Sequence, residues 1–440
     1  METARNHCGI GILVLAGLLW TAPVQGQNTS AFSEIDYLTQ QTGLGIRSLG
    51  MGGTGVATAR DFSAVALNPA GIAFNNRSTF ELGMTSLRAN TEADFLGNQS
   101  SGKQSFTRFH SLGGVFPVPV YQGALSLAAG FGRVHDFNSV LFYEGFNDNI
   151  DDQVYQQEDV SEEGALNMLA LAGAMEVAPN VSVGLALNFW FGDHQYNSIF
   201  EEFDDDNLYT FDNSVENQYI DSDIYGFDAK LGVQYRANPH LQFGATIGFP
   251  RTLWIEENYA DNSEFYYDDD LDIDPEYSQS DGFFKYRLRM PFAFGLGSAL
   301  RFGGLTLSGD LEYIDWSQTR YLTDTPISDL SRGSANLDIT RTIQGSLARR
   351  LGAEYVVQPG EIALRAGYRA TPSPYQDTTD EEIRRAYTLG AGIPLGDSAR
   401  FDISYQHGWW KQSTVGSVVD VPIHEDRTED KVFFSLGFNF

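Results

Sequence analysis

The chain has 440 residues, and 58 acidic against 28 basic side chains give it a net charge of −30. A nucleic-acid partner is excluded by that balance, because phosphate backbones need a basic surface. The single cysteine, Cys8, leaves no material for a disulfide framework or a multi-thiolate metal site.

Taken in order, the chain first reads as a signal peptide over residues 1–26: Arg5 supplies the charged start, Gly9 to Trp20 the apolar core and Val24-Gln25-Gly26 the small-residue exit. That core is too short to cross a bilayer as a helix, and no later segment offers 18 consecutive apolar residues. Removing the leader leaves no cysteine, which also excludes a thiol nucleophile. Asn28 to Gln41 reads as a short helix with Ser33 as its cap. Gly43 to Phe74 is different. Six glycines at 43, 45, 50, 52, 53 and 55 lead into a small-residue run that closes on Asn68-Pro69-Ala70-Gly71. Irregular backbone is tolerated at membrane depth only inside protein or a wet cavity, so residues 27–76 are expected to form a plug. Its gating elements would be Gly50, Gly52 and Gly53 together with Asn68, Pro69, Ala70 and Gly71.

From residue 77 to 440 the pattern predicts an all-β domain of fourteen antiparallel strands, near 77–90, 104–118, 121–135, 163–177, 181–195, 219–236, 240–254, 283–300, 304–320, 337–357, 360–370, 382–395, 399–412 and 427–440. The period of two is clearest at Val181, Val183, Leu185, Leu187, Phe189 and Phe191, which alternate with small or polar neighbours. A mean hydropathy of only −0.25 beside 31 Phe and 21 Tyr suits strands with one face in lipid and one in a lumen. Six connections are tight, among them Ala178-Pro179-Asn180 and Gln358-Pro359-Gly360, and the others are long. That asymmetry predicts a transmembrane β-barrel with short periplasmic turns, not a sandwich. The acid is concentrated in Asn147 to Glu163, Glu201 to Asp223 and Glu256 to Asp281, which we place in long outer loops.

Several patterns within the strands bear on function. Gly130-Phe131-Gly132 interrupts the third strand and predicts either a kink or a plain barrel corner. Arg365 and Arg369 share the lumen face of one strand, where each either pairs with an acid such as Asp310 or Glu312 or holds a ligand carboxylate. Gly50 to Gly55 lacks the lysine and the strand-to-helix setting of a phosphate cradle. Asp268, Asp270, Asp272 and Asp274 alternate without the glycine and glutamate of a calcium loop, so a solvated acidic loop or weak divalent binding is expected there. Neither Ser317 with Asp315 nor His407 with Asp402 forms a catalytic constellation, and no enzyme activity or cofactor is expected.

SLGMGGTGVATARDFSAVALNPAGIAF, from Ser48 to Phe74, resembles the N-terminal hatch of the FadL-type outer-membrane transporters. LEYIDWS, from Leu311 to Ser317, and RRLGAEYVVQPGEIALRAGYRATPSP, from Arg349 to Pro374, are similar to later segments of the same family. The resemblance implies a fourteen-stranded barrel in the outer membrane of a Gram-negative bacterium, bedded in lipid and lipopolysaccharide. It implies passive, hatch-gated uptake of a hydrophobic small molecule such as a fatty acid or a hydrocarbon. It also implies a lateral opening at the third-strand kink, carried here onto Gly130, Phe131 and Gly132, and a terminal Phe440 read by the barrel-assembly machinery. A PorV-like secretion component opens in a similar way and is the alternative, followed by a general porin or a structural barrel.

Overall fold

The computed structural model describes residues 43–149, 152–268, 273–327, 330–376, 378–415 and 421–440. The leader and the helix expected over 28–41 lie outside them. Eighteen strand segments close into one antiparallel sheet. They are β1 (Thr79–Phe95), β2 (Asn98–Val118), β3 (Leu125–Asp136), β4 (Ser139–Asn149), β5 (Asp152–Ala178), β6 (Val181–Phe203), β7 (Phe211–Arg236), β8 (Leu241–Gly248) and β9 (Thr252–Tyr267). The rest are β10 (Glu276–Arg289), β11 (Ala293–Phe302), β12 (Leu305–Asp315), β13 (Arg320–Tyr321), β14 (Gly345–Val357), β15 (Ile362–Thr371), β16 (Arg384–Pro394), β17 (Ala399–Val415) and β18 (Pro422–Asn439).

Four staves are interrupted, and each contributes two segments: β3 with β4, β8 with β9, β10 with β11, and β12 with β13. The barrel therefore has the fourteen staves expected. Two of the interruptions face each other, because Pro250 and Pro291 cannot donate to the ladder and sit between register partners Gly248↔Ala293 and Thr252↔Arg289. Closure comes from β1 against β18, in register from Thr79↔Asn439 to Asp94↔His424.

The alternation on β6 sorts the side chains as expected. Leu185, Phe189 and Phe191 face outward, whereas Ser182, Ala186, Asn188 and Trp190 are buried. Large apolar groups exposed on nearly every stave form the surface that lipid covers.

Two expectations are corrected. The acidic stretches are mostly strand: β5 starts at Asp152, β6 continues to Phe203 and β7 starts at Phe211, so they extend the staves into a tall outer rim. Tyr143, Val154, Phe200 and Ile220 alternate with the acids and are buried, which holds those extensions in the sheet. The strand expected from residue 337 begins only at Gly345, because Arg332–Thr342 is helical. Ser331 caps that helix by accepting the Ser334 amide at 3.2 Å, while Ala335 and Ile339 bury its inner side.

Candidate functional site

Residues 43–76 fill the bore. The helical turn Ile46–Leu49 leads into a tight turn in which Gly52 and Gly53 have φ of 71° and 81°. Left-handed backbone favours glycine, and close approach requires it here: a Cβ on Gly52 would lie 2.6 Å from the Leu351 carbonyl oxygen. The wall answers with glycines of its own, since a Cβ on Gly367 would fall 2.1 Å from the Gly52 nitrogen. Gly52 N–H donates to Thr388 Oγ1 at 2.9 Å, and that hydroxyl donates to the Gly50 carbonyl at 3.1 Å. Further along, Thr54 Oγ1 meets Ser308 Oγ at 2.7 Å, and the Gly55 and Val56 amides donate to Asp310 Oδ2 at 2.6 and 2.9 Å.

The opposite flank is organised by Asn68, which is fully buried. Its Nδ2 donates to the carbonyls of Val56 at 2.7 Å and Val233 at 2.9 Å, and its Oδ1 accepts the Ala70 amide at 3.1 Å. Pro69 opens the six-residue 3-10 segment Pro69–Phe74, where its missing donor is harmless. Ser182 Oγ donates to the Ala70 carbonyl at 2.9 Å. Gly71 is packed too tightly for a side chain, because a Cβ there would come 1.9 Å from the Ala59 oxygen.

Charge fastens the hatch from below. Arg47 forms a two-pronged contact with Glu354 at 2.7 and 2.9 Å. Glu354 also accepts Arg365 Nε at 2.8 Å, and Arg365 reaches Asp402 at 2.5 Å with its side chain wholly buried. Arg365 is thus occupied by two acids and is not placed to hold a ligand carboxylate. Arg369, four residues along the same face, has no ion-pair or hydrogen-bond partner among the described residues.

Above the hatch lies a cavity of about 590 Å³. Arg350, Arg369 and Arg384 line it together with Glu312, Trp316 and Trp410, so it is a mixed, charged chamber. Arg350 is held by Glu312 at 2.6 Å, and Arg384 lies over the Trp410 ring at 4.9 Å.

The third stave departs from the wall. β2 pairs with β3 only from Val118↔Leu125 to Ser111↔Gly132. Beyond that point β4 follows β5, from Ser139↔Glu162 onward, and no ladder joins β4 to β2 among the described residues. β4 has instead swung inward over the β1–β2 hairpin, where the Phe95 and Tyr143 rings lie 4.6 Å apart and a Cβ on Gly102 would touch Val140 at 2.9 Å. The bend is not at Gly130 to Gly132, which lie within β3. It falls at a bulge between Arg133 and His135 and at the interruption Phe137-Asn138. Asn138 braces it, accepting from Arg108 at 2.8 Å and donating to the Gly164 carbonyl at 3.1 Å. Phe131 faces outward beside Phe109 and Phe191, with ring centroids at 5.6 and 6.0 Å.

Gly130 and Gly132 have another task, because a Cβ on either would strike the hatch: 2.4 Å from Phe62 Cε2 and 2.2 Å from Leu44 Cδ2. Gly132→Ala is expected to lower barrel stability by about 1–3 kcal/mol through overpacking, because the nearest atoms its Cβ would meet all belong to the Leu44 side chain. Adding Leu44→Ala should recover most of the loss, as read from the temperature at which the folded band disappears on heat-modifiable gels. A defect that Leu44→Ala does not relieve would place the strain elsewhere.

Among the described residues no helix is long and apolar enough to cross a membrane. By fold the chain is similar to the Pseudomonas putida toluene transporter TodX, with a TM-score of 0.61 at 15% identity over 90% of this chain and 99% of that one. It is also similar to a Pseudomonas aeruginosa FadL homologue, with a TM-score of 0.59 at 14% identity over 91% and 98% of the two chains. The Ralstonia pickettii toluene transporter TbuX gives a TM-score of 0.56 at 15% identity over 89% and 98%. No curated protein matches the sequence. Residues 37–440 match the family described as outer membrane protein transport protein (OMPP1/FadL/TodX), and that match over nearly the whole closed, hatched barrel shows that the chain belongs to this family of Gram-negative outer-membrane transporters.

Proposed function

We propose that the protein takes up hydrophobic molecules bearing an anionic head, such as long-chain fatty acids, passively and without catalysis. The observation that carries this reading is Arg369, a cation facing the chamber above a closed hatch with no ion-pair or hydrogen-bond partner among the described residues; the acid acting on it, Glu429, is itself paired with Lys431 at 2.7 Å. A neutral hydrocarbon, the cargo named for the TodX and TbuX transporters, would leave that guanidinium unanswered. A carboxylate would meet it with a charge-assisted hydrogen bond, while Trp316 and Trp410 offer apolar surface to the chain. Burial of an acyl chain contributes about 0.8 kcal/mol per CH₂, so capture is favourable and release needs a movement of the hatch. The route out is sideways, past Phe137 and the inward bend of β4. Outer-leaflet lipopolysaccharide and the assembly machinery that reads Phe440 are the remaining partners in this reading.

The test is native mass spectrometry of the detergent-purified barrel supplied with dodecanoate. Arg369→Gln is expected to weaken dodecanoate binding about tenfold or more, the scale of one hydrogen bond to a charged group, and dodecanol should bind both proteins alike. Equal dodecanoate binding by the variant would remove Arg369 from the site. Preferential binding of toluene to the unaltered protein would assign it the hydrocarbon cargo instead.

A further inference from the structure

At the periplasmic foot of the hatch, three arginines converge without an acid between them. Arg236 is at the end of β7, opposite Gln242 in the register, and Gln242 is in turn opposite Ala299, two residues before Arg301. From the hatch, Arg60 reaches the same place, its Nη2 lying 3.5 Å from Gln242 Oε1. The loop carrying Arg60 is held close by Gln234, whose Nε2 donates to the carbonyls of Val56 at 3.2 Å and Ala59 at 3.5 Å. Arg236 Cζ lies over the Phe74 ring, 3.4 Å from its centroid, which holds the guanidinium against the hatch.

The charges acting on Arg60 are Arg236, Arg301 and Arg47, all cations. Arg47 is already neutralised by Glu354. The acid acting on Arg236 is Glu176, and its carboxylate accepts the Asn180 amide of the adjoining turn at 2.9 Å. Three guanidinium nitrogens here are buried with no acceptor: Arg60 Nε, and Nε and Nη2 of Arg236. In a chain of net charge −30, clustered arginines with unanswered donors are a marked local inversion of sign. Orphaned charged donors are costly, and a planar guanidinium edge matches an oxyanion.

We propose that Arg60, Arg236 and Arg301 form an oxyanion site bridging hatch and wall, which takes a carboxylate or a phosphate and locks this flank of the hatch to the barrel. Empty, the site sets the hatch cation against two wall cations, and their repulsion loosens the seat. Filled, it joins them. The site goes beyond the uptake reading and does not require that reading to hold, because Arg369 belongs to a different chamber on the far side of the hatch.

The test uses the full barrel in an uncharged maltoside detergent, titrated calorimetrically with inorganic phosphate, acetate and dodecanoate at constant ionic strength set by chloride. Saturable phosphate binding is expected, weakened about tenfold or more in Arg60→Gln and in Arg236→Gln. Phosphate should also raise the unfolding temperature of the unaltered protein and not that of Arg60→Gln, which without phosphate should be no less stable than its parent. Arg369→Gln should keep the phosphate response, so failure of the uptake reading leaves this readout intact. Dodecanoate binding much tighter than acetate and phosphate, kept in Arg369→Gln and weakened in Arg60→Gln, identifies the site as an exit station for cargo; phosphate binding as tight as the dodecanoate binding that Arg369→Gln keeps identifies a phosphate-bearing ligand of the periplasmic side. No saturable binding of any probe, or variants indistinguishable from the parent, would overturn the proposal.

Discussion

Glu354→Gln is expected to unseat the hatch and turn a closed barrel into a leaky one. The carboxylate stands between Arg47 of the hatch and Arg365 of the wall, contacting both within 2.9 Å. Its side chain is 9% exposed and that of Arg365 is 0%, so water cannot take its place. Removing the shared anion leaves two guanidiniums facing each other, and breaking a buried pair in this way costs about 3–5 kcal/mol. The wall is held by its ladders and can absorb the loss. The hatch is held only by its contacts with the wall, so it is the part that moves. Planar-bilayer recording should show frequent or sustained openings in Glu354→Gln where the parent is quiet, and proteolysis should cut within residues 47–60. A variant as quiet and as resistant as its parent would show that this ion network does not fasten the hatch.

Asn68→Ala is expected to release the other flank. Three hydrogen bonds disappear together at a site with no exposure, leaving the Ala70 amide without its partner and the Val56 carbonyl with only the longer bond from Gln234 Nε2 at 3.2 Å. Because such bonds are not additive, the combined cost is on the order of 3 kcal/mol. The damage should stay local: amide hydrogen exchange is expected to quicken over residues 55–71 while residues 46–54, tied to Ser308, Glu354 and Thr388, keep their protection. Glu354→Gln should produce the reverse pattern. Uniform acceleration in both variants would mean that the hatch opens as one unit and that Asn68 is not a separate latch.

The barrel was legible because lipid and lumen impose opposite chemistry on alternate residues, and Val181 to Gly192 carries that signature without interruption. The outer rim was not, because strands above the bilayer face water on one side and carry acids where lipid-facing strands carry leucine. Composition therefore suggested loops at Glu201 to Asp223, while the buried Phe200 and Ile220 kept the period of two. The hatch was recognisable from its glycines, but their need was set by glycines far away in the chain, at Gly352, Gly367 and Gly390, which only the register brings into contact.

Arg365 and Arg369 show the same limit. Four residues apart on one face, they are equivalent in the sequence, and neighbouring strands decide their fates. A signal was available: the tight turn at Gln358-Pro359-Gly360 sets Glu354 directly opposite Arg365 and Arg350 opposite Arg369. One arginine therefore faces an acid across the ladder and the other faces a cation. Gly130 and Gly132 were correctly singled out as unusual for a strand, but their emptiness receives Phe62 and Leu44, and the bend itself is made by the next few residues.

The partners of the hatch lie very far along the chain. Gly55 is bonded to a residue 255 positions away, Arg47 to one 307 away and Gly52 to one 336 away. A polypeptide delivered across the inner membrane from its front end presents this stretch first, yet its sockets arrive last. Nor is there any tube to lodge in until the final stave meets the first. Seating must then conclude biogenesis, and a chain cut short before Thr388 would lack both a finished cylinder and a berth for its stopper, so truncated products should fail to mature and not persist as open pores in the cell's outer barrier.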